Sequence, residues 1–190
     1  KGIPLMSPIL LRFGPLTLYT YGLLLALAFL IAMWRARVAA RTGQEPAAHV
    51  SPDQIVSLCT AVMLGGLVGA RAFFVLANAD FFWLSPWEIL AIWHGGLVWY
   101  GGLAGGLAAA VWYARARGLS GLRIMDQLVP FVALGHAIGR IGCFLNGCCY
   151  GKPTASWFGV RFPGHDHPLI PTQLIESAFL FAAFLWLRRP

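Results

Sequence analysis

"QIVSLCTAVMLGGLVGARAFFVLAN", residues 54–78, is an apolar run with one charged side chain, Arg71. A helix needs about 20 predominantly apolar residues to cross a hydrocarbon layer about 30 Å thick. The run therefore predicts a transmembrane helix. Because an arginine inside a bilayer costs at least about 2.5 kcal/mol, Arg71 is expected to snorkel to the interface, to pair with an acid, or to take part in function.

The composition extends this prediction to the whole chain of 190 residues, which is 58% hydrophobic and only 11% charged. Soluble domains carry about 25% charged residues. We predict an all-α, polytopic membrane helical bundle that forms one integral membrane domain over residues 1–190. About five spans are expected, the other four near residues 16–36, 97–114, 124–145 and 171–187.

The basic residues predict an orientation. Eight of the 14 Lys and Arg residues fall on one side of a five-span arrangement: Arg35, Arg37, Arg41, Arg115, Arg117, Arg123, Arg188 and Arg189. By the positive-inside rule that side is cytoplasmic. Charges scattered through short loops do not form a nucleic-acid footprint, so no nucleic-acid partner is expected. Because arginines follow it, the first run is expected to remain as a span. The sequence opens on Lys1 and not on Met, so the natural N-terminus is expected to precede it.

"GRIGCFLNGCCYGK", residues 139–152, places Arg140 near the outer end of the fourth run. The planar fork of an arginine suits phosphate, because it donates two hydrogen bonds at once. Asn146 can donate and accept, and His136 lies four residues before Arg140 on the same helical face. The stretch is compatible with a metal site, a redox pair, a pore or a pocket for an anionic lipid headgroup.

The three cysteines of this stretch do not have the spacing of a zinc site. Cys148 and Cys149 are adjacent and Cys143 precedes them by five residues, whereas structural zinc usually takes two C-x₂₋₄-C pairs. We therefore predict no metal and no cofactor. A disulfide between Cys143 and Cys148 stays open as an alternative.

Other polar groups are expected near the outer ends of the spans. Tyr21 lies in the first, and Glu176, in "PTQLIES", lies in the fifth, where an intramembrane acid predicts a partner, either Arg71 or Arg140. His94 and Tyr100 lie in "WHGGLVWYGGLAGG", residues 93–106.

Two glycine pairs, Gly65–Gly69 and Gly102–Gly106, have the small-xxx-small spacing and predict close helix packing.

Three classes of function remain compatible with the residues: an enzyme acting on lipid, a channel or transporter, and a thiol-redox membrane enzyme. Polar groups that gather at one depth, with no inverted repeat, count against transport, and the absence of C-x-x-C counts against redox chemistry.

The chain resembles the bacterial prolipoprotein diacylglyceryl transferase family. The resemblance rests on five stretches in order: "YTYGLLLALAF" (19–29), "GGLVGARAFFVL" (65–76), "WHGGLVWYGGLAGG" (93–106), "GRIGCFLNGCCYGK" (139–152) and "PTQLIES" (171–177). It implies transfer of a diacylglyceryl group from phosphatidylglycerol to the lipobox cysteine of a prolipoprotein signal peptide, with release of glycerol phosphate. It implies an enzyme of the bacterial inner membrane whose active site faces the periplasm among membrane lipid.

The resemblance also implies roles for particular residues. Arg140 would hold the lipid phosphate, and Tyr100 and His94 would handle the thiol and its proton. The remaining substrate-binding candidates are Tyr21, Arg71, Cys143, Asn146, Gly151 and Glu176. Two further helices are implied beyond Pro190, one with a functional arginine, and we expect poor activity without them.

Two departures from the family pattern concern the site itself. The usual signature GRxGNFxNGE has Cys143 and Cys148 here in place of the first Asn and the Glu. The family's catalytic histidine, in an "HGGL" at the start of the third span, aligns by its flanking glycines with Tyr100, whereas His94 belongs to a second "HGGL" six residues earlier. The identity of the base is therefore open. Tyr100 is expected to position the thiol or relay its proton, and His94 or a lipid phosphate oxygen is expected to accept it.

Overall fold

The computed structural model describes residues 9–13, 16–42 and 50–188 and confirms the predicted all-α class. Residue 189, counted above among the basic residues, lies outside that part. The elements in chain order are β1 Ile9–Phe13, β2 Leu16–Tyr19, α1 Thr20–Thr42, α2 Pro52–Ala77, α3 Ala79–Leu84, two 3-10 helices at Pro86–Leu90 and Ile92–His94, α4 Trp99–Ala116, α5 Gly121–Asn146 and α6 Thr172–Leu187.

Helices lie at all five predicted positions, and three of them are long and apolar enough to cross a membrane. These are α1, α2 and α5, with 23, 26 and 26 residues. Helix α6 is apolar but has 16 residues. Helix α4 has 18 residues, and Arg115 and four glycines among them lower its mean hydropathy. Within the described residues, three of the predicted spans thus have the length and apolar composition that crossing a membrane requires. Spanning by α4 and α6 stays a prediction.

The predicted start of the first helix, near residue 16, is wrong. Residues 16–19 form strand β2, which pairs antiparallel with β1, for example Leu11 with Leu18. The segment Leu-Thr-Leu-Tyr alternates and contains β-branched and aromatic residues that favour a strand. Pairing with β1 satisfies its backbone N–H and C=O groups, so the helix begins only at Thr20.

The chain divides into two compact units, one formed by residues 1–36 and 128–190 and the other by residues 37–127. Each unit is described by itself below. The single domain over residues 1–190 stays a prediction.

In the unit of residues 37–127, α2 and α4 pack antiparallel through facing glycines. A Cβ placed on Gly105 would collide with the carbonyl oxygen of Gly65, and one placed on Gly69 would collide with that of Gly101. The predicted packing role of Gly65–Gly69 is therefore confirmed. On α4 the pair in closest contact is Gly101–Gly105, one residue before the predicted Gly102–Gly106.

We expect Gly105→Ala to destabilise this unit and Gly102→Ala to have little effect. A methyl group at Gly105 also approaches Gly69 Cα to 2.9 Å, so the helix backbones must separate, whereas at Gly102 the nearest atoms are 3.6 Å away, an ordinary contact. Thermal unfolding of the purified protein in detergent compares the two, and overpacking of this kind costs about 1–3 kcal/mol. Equal unfolding temperatures for the two variants would contradict the glycine contact.

In the other unit, α5 contacts both α1 and α6. A Cβ on Gly135 would lie 3.4 Å from Ala32 Cβ on α1, and Ser177 of α6 donates a 2.8 Å hydrogen bond from Oγ to the carbonyl of Ala137. Near the end of α5, Phe144 packs with Phe162 and Leu169 of the following segment in a small buried core. This packing fixes the last turns of α5 beside the start of α6, where most of the predicted site residues lie.

Candidate functional site

An ion-pair cluster joins α5 and α6. Arg140 Nη2 lies 2.8 Å from Glu176 Oε2, and His136 Nε2 lies 3.6 Å from the other carboxylate oxygen. The prediction that Glu176 pairs with Arg71 or Arg140 is confirmed for Arg140. The 3.6-residue helical repeat places His136 and Arg140 on one face of α5, which explains why one carboxylate reaches both.

The guanidinium of Arg140 keeps a free donor. Its side chain is 15% exposed and that of Glu176 is 45% exposed. Within the described residues, the buried Nε–H of Arg140 has no hydrogen-bond partner. A buried donor without a partner is costly, and an incoming anion would remove that cost.

Helix α5 ends in a tight turn that carries two of the cysteines. Gly147 has a φ of 72° and Cys149 a φ of 62°, and the N–H of Cys148 bonds to the carbonyl of Cys143 over 3.1 Å. All four cysteines are free thiols, so the structure does not contain a Cys143–Cys148 disulfide. The three thiols of the turn are gathered instead, with the Sγ atoms of Cys143, Cys148 and Cys149 all within 4.8 Å of one another.

Two residues at the start of α6 hold this turn and escaped the sequence reasoning. Gln173, which is fully buried, donates from Nε2 to the carbonyl of Cys148 over 2.6 Å. Thr172 donates from Oγ1 to the carbonyl of Cys149 over 3.0 Å. Both belong to the "PTQLIES" stretch, whose match to the family was the available signal.

Tyr21 and Gly151 lie in the same unit. The ring of Tyr21 packs on α5, where a Cβ on Gly142 would approach its Cδ2 to 3.5 Å. Its hydroxyl lies close enough to Arg140 and to the three clustered thiols to interact with them electrostatically. Gly151 donates to the carbonyl of Ile170 over 2.9 Å, and a side chain there would meet Thr172 Cγ2 at 2.7 Å. The structure thus gives Gly151 a packing reason to be glycine.

Asn146 is the last residue of α5 and is half-buried. The structure therefore gathers Arg140, Glu176, Cys143, Tyr21 and Asn146 around the end of one helix.

Arg71, in the unit of residues 37–127, has partners that the sequence did not predict. Its side chain is buried, and Nε donates to the carbonyl of Ile89 over 2.9 Å. Nη1 donates to the carbonyls of Gly95 and Gly96, and Nη2 to those of Glu88 and Ala91. The rings of Phe74 and Phe82 flank the guanidinium. All five N–H groups of Arg71 thus bind backbone oxygens of the segment that follows α3.

His94 and Tyr100 lie in that same unit. His94 Nδ1 is 2.8 Å from Glu88 Oε2, a pairing that the sequence reasoning missed although Glu88 is one of two acids in residues 79–96. Tyr100 is 72% exposed, and its ring contacts that of Trp99 edge-on. Both side chains are accessible, and a histidine held by a carboxylate is suited to accept a proton.

A sequence model described as prolipoprotein diacylglyceryl transferase matches residues 8–190. Three relatives carry the name phosphatidylglycerol–prolipoprotein diacylglyceryl transferase. That of Fusobacterium nucleatum is 35% identical over 83% of this chain and 53% of the relative. That of Vibrio vulnificus is 34% identical over 98% and 70%, and that of Synechococcus elongatus 35% identical over 95% and 61%.

This chain thus spans between about half and seven tenths of the length of these relatives. The matched residues include every predicted site residue, and the family inferred from the five stretches is confirmed. The chain belongs to the prolipoprotein diacylglyceryl transferase family.

Proposed function

We propose that this protein transfers the diacylglyceryl group of phosphatidylglycerol to the lipobox cysteine thiol of a prolipoprotein and releases glycerol phosphate. The observation that carries the proposal is Arg140. Its guanidinium is mostly buried at the end of α5, fixed by Glu176 on one side and left with a free Nε–H. The names of the relatives supply the donor and the acceptor.

The reaction requires charge stabilisation at the leaving group. The thiol sulfur forms a bond to a glyceryl carbon, the bond from that carbon to the phosphate oxygen breaks, and the thiol proton goes to a base. Negative charge grows on the departing phosphate in the transition state. A fixed guanidinium in a medium of low dielectric constant stabilises that charge strongly, and Arg140 has that position in the proposal.

We further propose that the protein is a multi-pass protein of the bacterial inner membrane and that Arg140 lies on the periplasmic side. The support is the charge distribution. The last turns of α1 carry Arg35, Arg37 and Arg41, the end of α4 and the loop after it carry Arg115 and Arg117, and basic segments that flank spans stay cytoplasmic. On the opposite side, the segment after α2 carries exposed Trp83, Trp87 and Trp93, as interfacial segments do. The signal peptide of the prolipoprotein would approach from this side.

The proposed activity is tested with the purified full-length protein, phosphatidylglycerol vesicles and a lipobox peptide. We expect mass spectrometry to show the peptide heavier by one diacylglyceryl group, with glycerol phosphate released in equal amount. Vesicles of phosphatidylethanolamine with the same acyl chains serve as the control. Peptide that stays unmodified in phosphatidylglycerol would contradict the proposal.

The same assay separates the two candidates for the proton step. We expect Tyr100→Phe, which removes only the hydroxyl, to slow transfer by about 10²-fold or more if Tyr100 positions the thiol or relays its proton. His94→Ala should slow it comparably if His94 is the final acceptor. Full activity in His94→Ala would leave the lipid phosphate oxygen as the acceptor and remove His94 from the mechanism.

A further inference from the structure

We propose that Cys143, Cys148 and Cys149 form a binding site for a thiophilic metal ion, and that the ion that fits is Cu(I). The spacing of these cysteines predicted no metal site. The structure nevertheless brings the three Sγ atoms within 4.8 Å of one another, with 3.6 Å between those of Cys148 and Cys149. The proposal concerns metal binding by the three thiols together, to which no step of the transfer reaction proposed above is assigned.

The backbone gathers the thiols from both sides of the end of α5. Cys143 is buried in the last turns of the helix, and Cys148 and Cys149 follow its C-terminus. Gly147, with a φ of 72°, turns the chain back, and Cys149 follows with a φ of 62°. A non-glycine residue rarely adopts this left-handed conformation, and here it keeps the third thiol beside the other two.

Side chains of α6 also hold the turn in place. Gln173 and Thr172 of α6 donate hydrogen bonds to the carbonyls of Cys148 and Cys149, at 2.6 Å and 3.0 Å. Neither bond uses a sulfur atom, so the thiols remain available as ligands. Support of this kind around the ligands is what fixes a metal site in a geometry ready for binding.

The donor set selects the metal. Thiolates prefer soft ions such as Cu(I) and Zn(II). Three sulfurs about 2.3 Å from a common centre lie about 4 Å apart. Each separation in the cluster, between 3.6 Å for Cys148–Cys149 and at most 4.8 Å, must therefore change by less than about 1 Å. Three thiolates complete a trigonal site, whereas Zn(II) takes a fourth ligand. Binding releases three thiol protons to solvent and leaves a negative complex next to the positive charge of Arg140, an electrostatic neighbour of Cys143 and Cys149.

The test uses the full-length protein in detergent, stripped of metal and reduced under anaerobic conditions, with Cu(I) supplied from a coloured Cu(I) chelator. We expect the protein to take about one Cu(I) per chain from the chelator and to develop a near-ultraviolet thiolate-to-copper absorption band. The triple variant Cys143→Ser/Cys148→Ser/Cys149→Ser should lose both signals. Cys59→Ser is the matched control, because Cys59 lies on α2 outside the cluster, and it should keep both.

Several outcomes would overturn the proposal. One is that the chelator keeps all the copper, and another is that the triple variant binds as much copper as the parent protein. A third is that Zn(II) displaces Cu(I) when both ions are buffered by chelators to the same free concentration. X-ray absorption on the unaltered protein keeps the test decisive if the triple variant fails to fold. It should show three sulfur neighbours at about 2.3 Å, and two or fewer would exclude the trigonal site. No readout depends on transfer activity, so failure here leaves the proposed function standing.

Discussion

Arg140→Gln is expected to lower the rate of diacylglyceryl transfer by about 10²- to 10³-fold, the usual cost of removing one preorganised donor to a developing negative charge. Glutamine keeps two N–H groups but neither the positive charge nor the planar fork. Arg140→Lys keeps the charge without the fork, and its transfer rate should lie between those of the unaltered protein and Arg140→Gln. Initial rates with phosphatidylglycerol vesicles and a lipobox peptide measure the three proteins side by side.

The control for the Arg140 prediction is Arg123→Gln, the same substitution on an exposed residue of the same helix, which should leave the rate unchanged. A second comparison addresses the carboxylate that loses its partner. In Arg140→Gln/Glu176→Gln that carboxylate is neutralised, and the rate should stay low because the phosphate still has no guanidinium. Recovery of the rate in the double variant would show that Arg140 serves only to neutralise Glu176.

Arg71→Met is expected to release the segment of residues 86–97 from α2. Methionine has a similar length but donates none of the five hydrogen bonds that Arg71 gives to backbone carbonyls. Each partly buried acceptor left without a partner costs up to about 1–3 kcal/mol, and water recovers part of that. We expect local opening to become about 2–4 kcal/mol easier. Hydrogen exchange followed by mass spectrometry should show faster exchange at Ala91, His94 and Gly95, whose amides close the 3-10 turns.

Two comparisons test the Arg71 prediction further. Arg115→Met changes an exposed arginine on α4 and should leave exchange in residues 86–97 as it was. Arg71→Lys has three donors on a flexible stem and should retain part of the protection. Unchanged protection in Arg71→Met would mean that the flanking rings of Phe74 and Phe82 and the turns themselves fix the segment.

The helices could be predicted because apolar runs of sufficient length have few other solutions, and the Arg140–Glu176 pair could be predicted because an acid in a membrane helix needs a partner. The strand at residues 16–19 was missed because Leu-Thr-Leu-Tyr is as apolar as a helix start. On α4 the contact uses Gly101 and Gly105 because the face that meets α2 depends on how the helix is rotated, which glycine spacing alone does not fix.

The site escaped prediction where backbone atoms are involved. Nothing in the sequence marks a carbonyl as the partner of Arg71, because every residue has one. The thiol cluster depends on the left-handed conformation of Cys149, a residue type that gives no sign of it. Counting the spacing of cysteines along the chain treats them as if they lay on regular elements, and the turn after α5 breaks that assumption.

The hydrogen bonds from Arg71 to main-chain oxygens have an evolutionary consequence. Since a carbonyl survives any substitution, the side chains at positions 88, 89 and 91 can drift among homologues while the arginine retains its acceptors. Gly95 and Gly96 are the exception, because their φ values of 85° and 80° disfavour other residues. One invariant cation can therefore preserve the shape of a segment whose composition diverges, leaving its outward side chains open to adaptation.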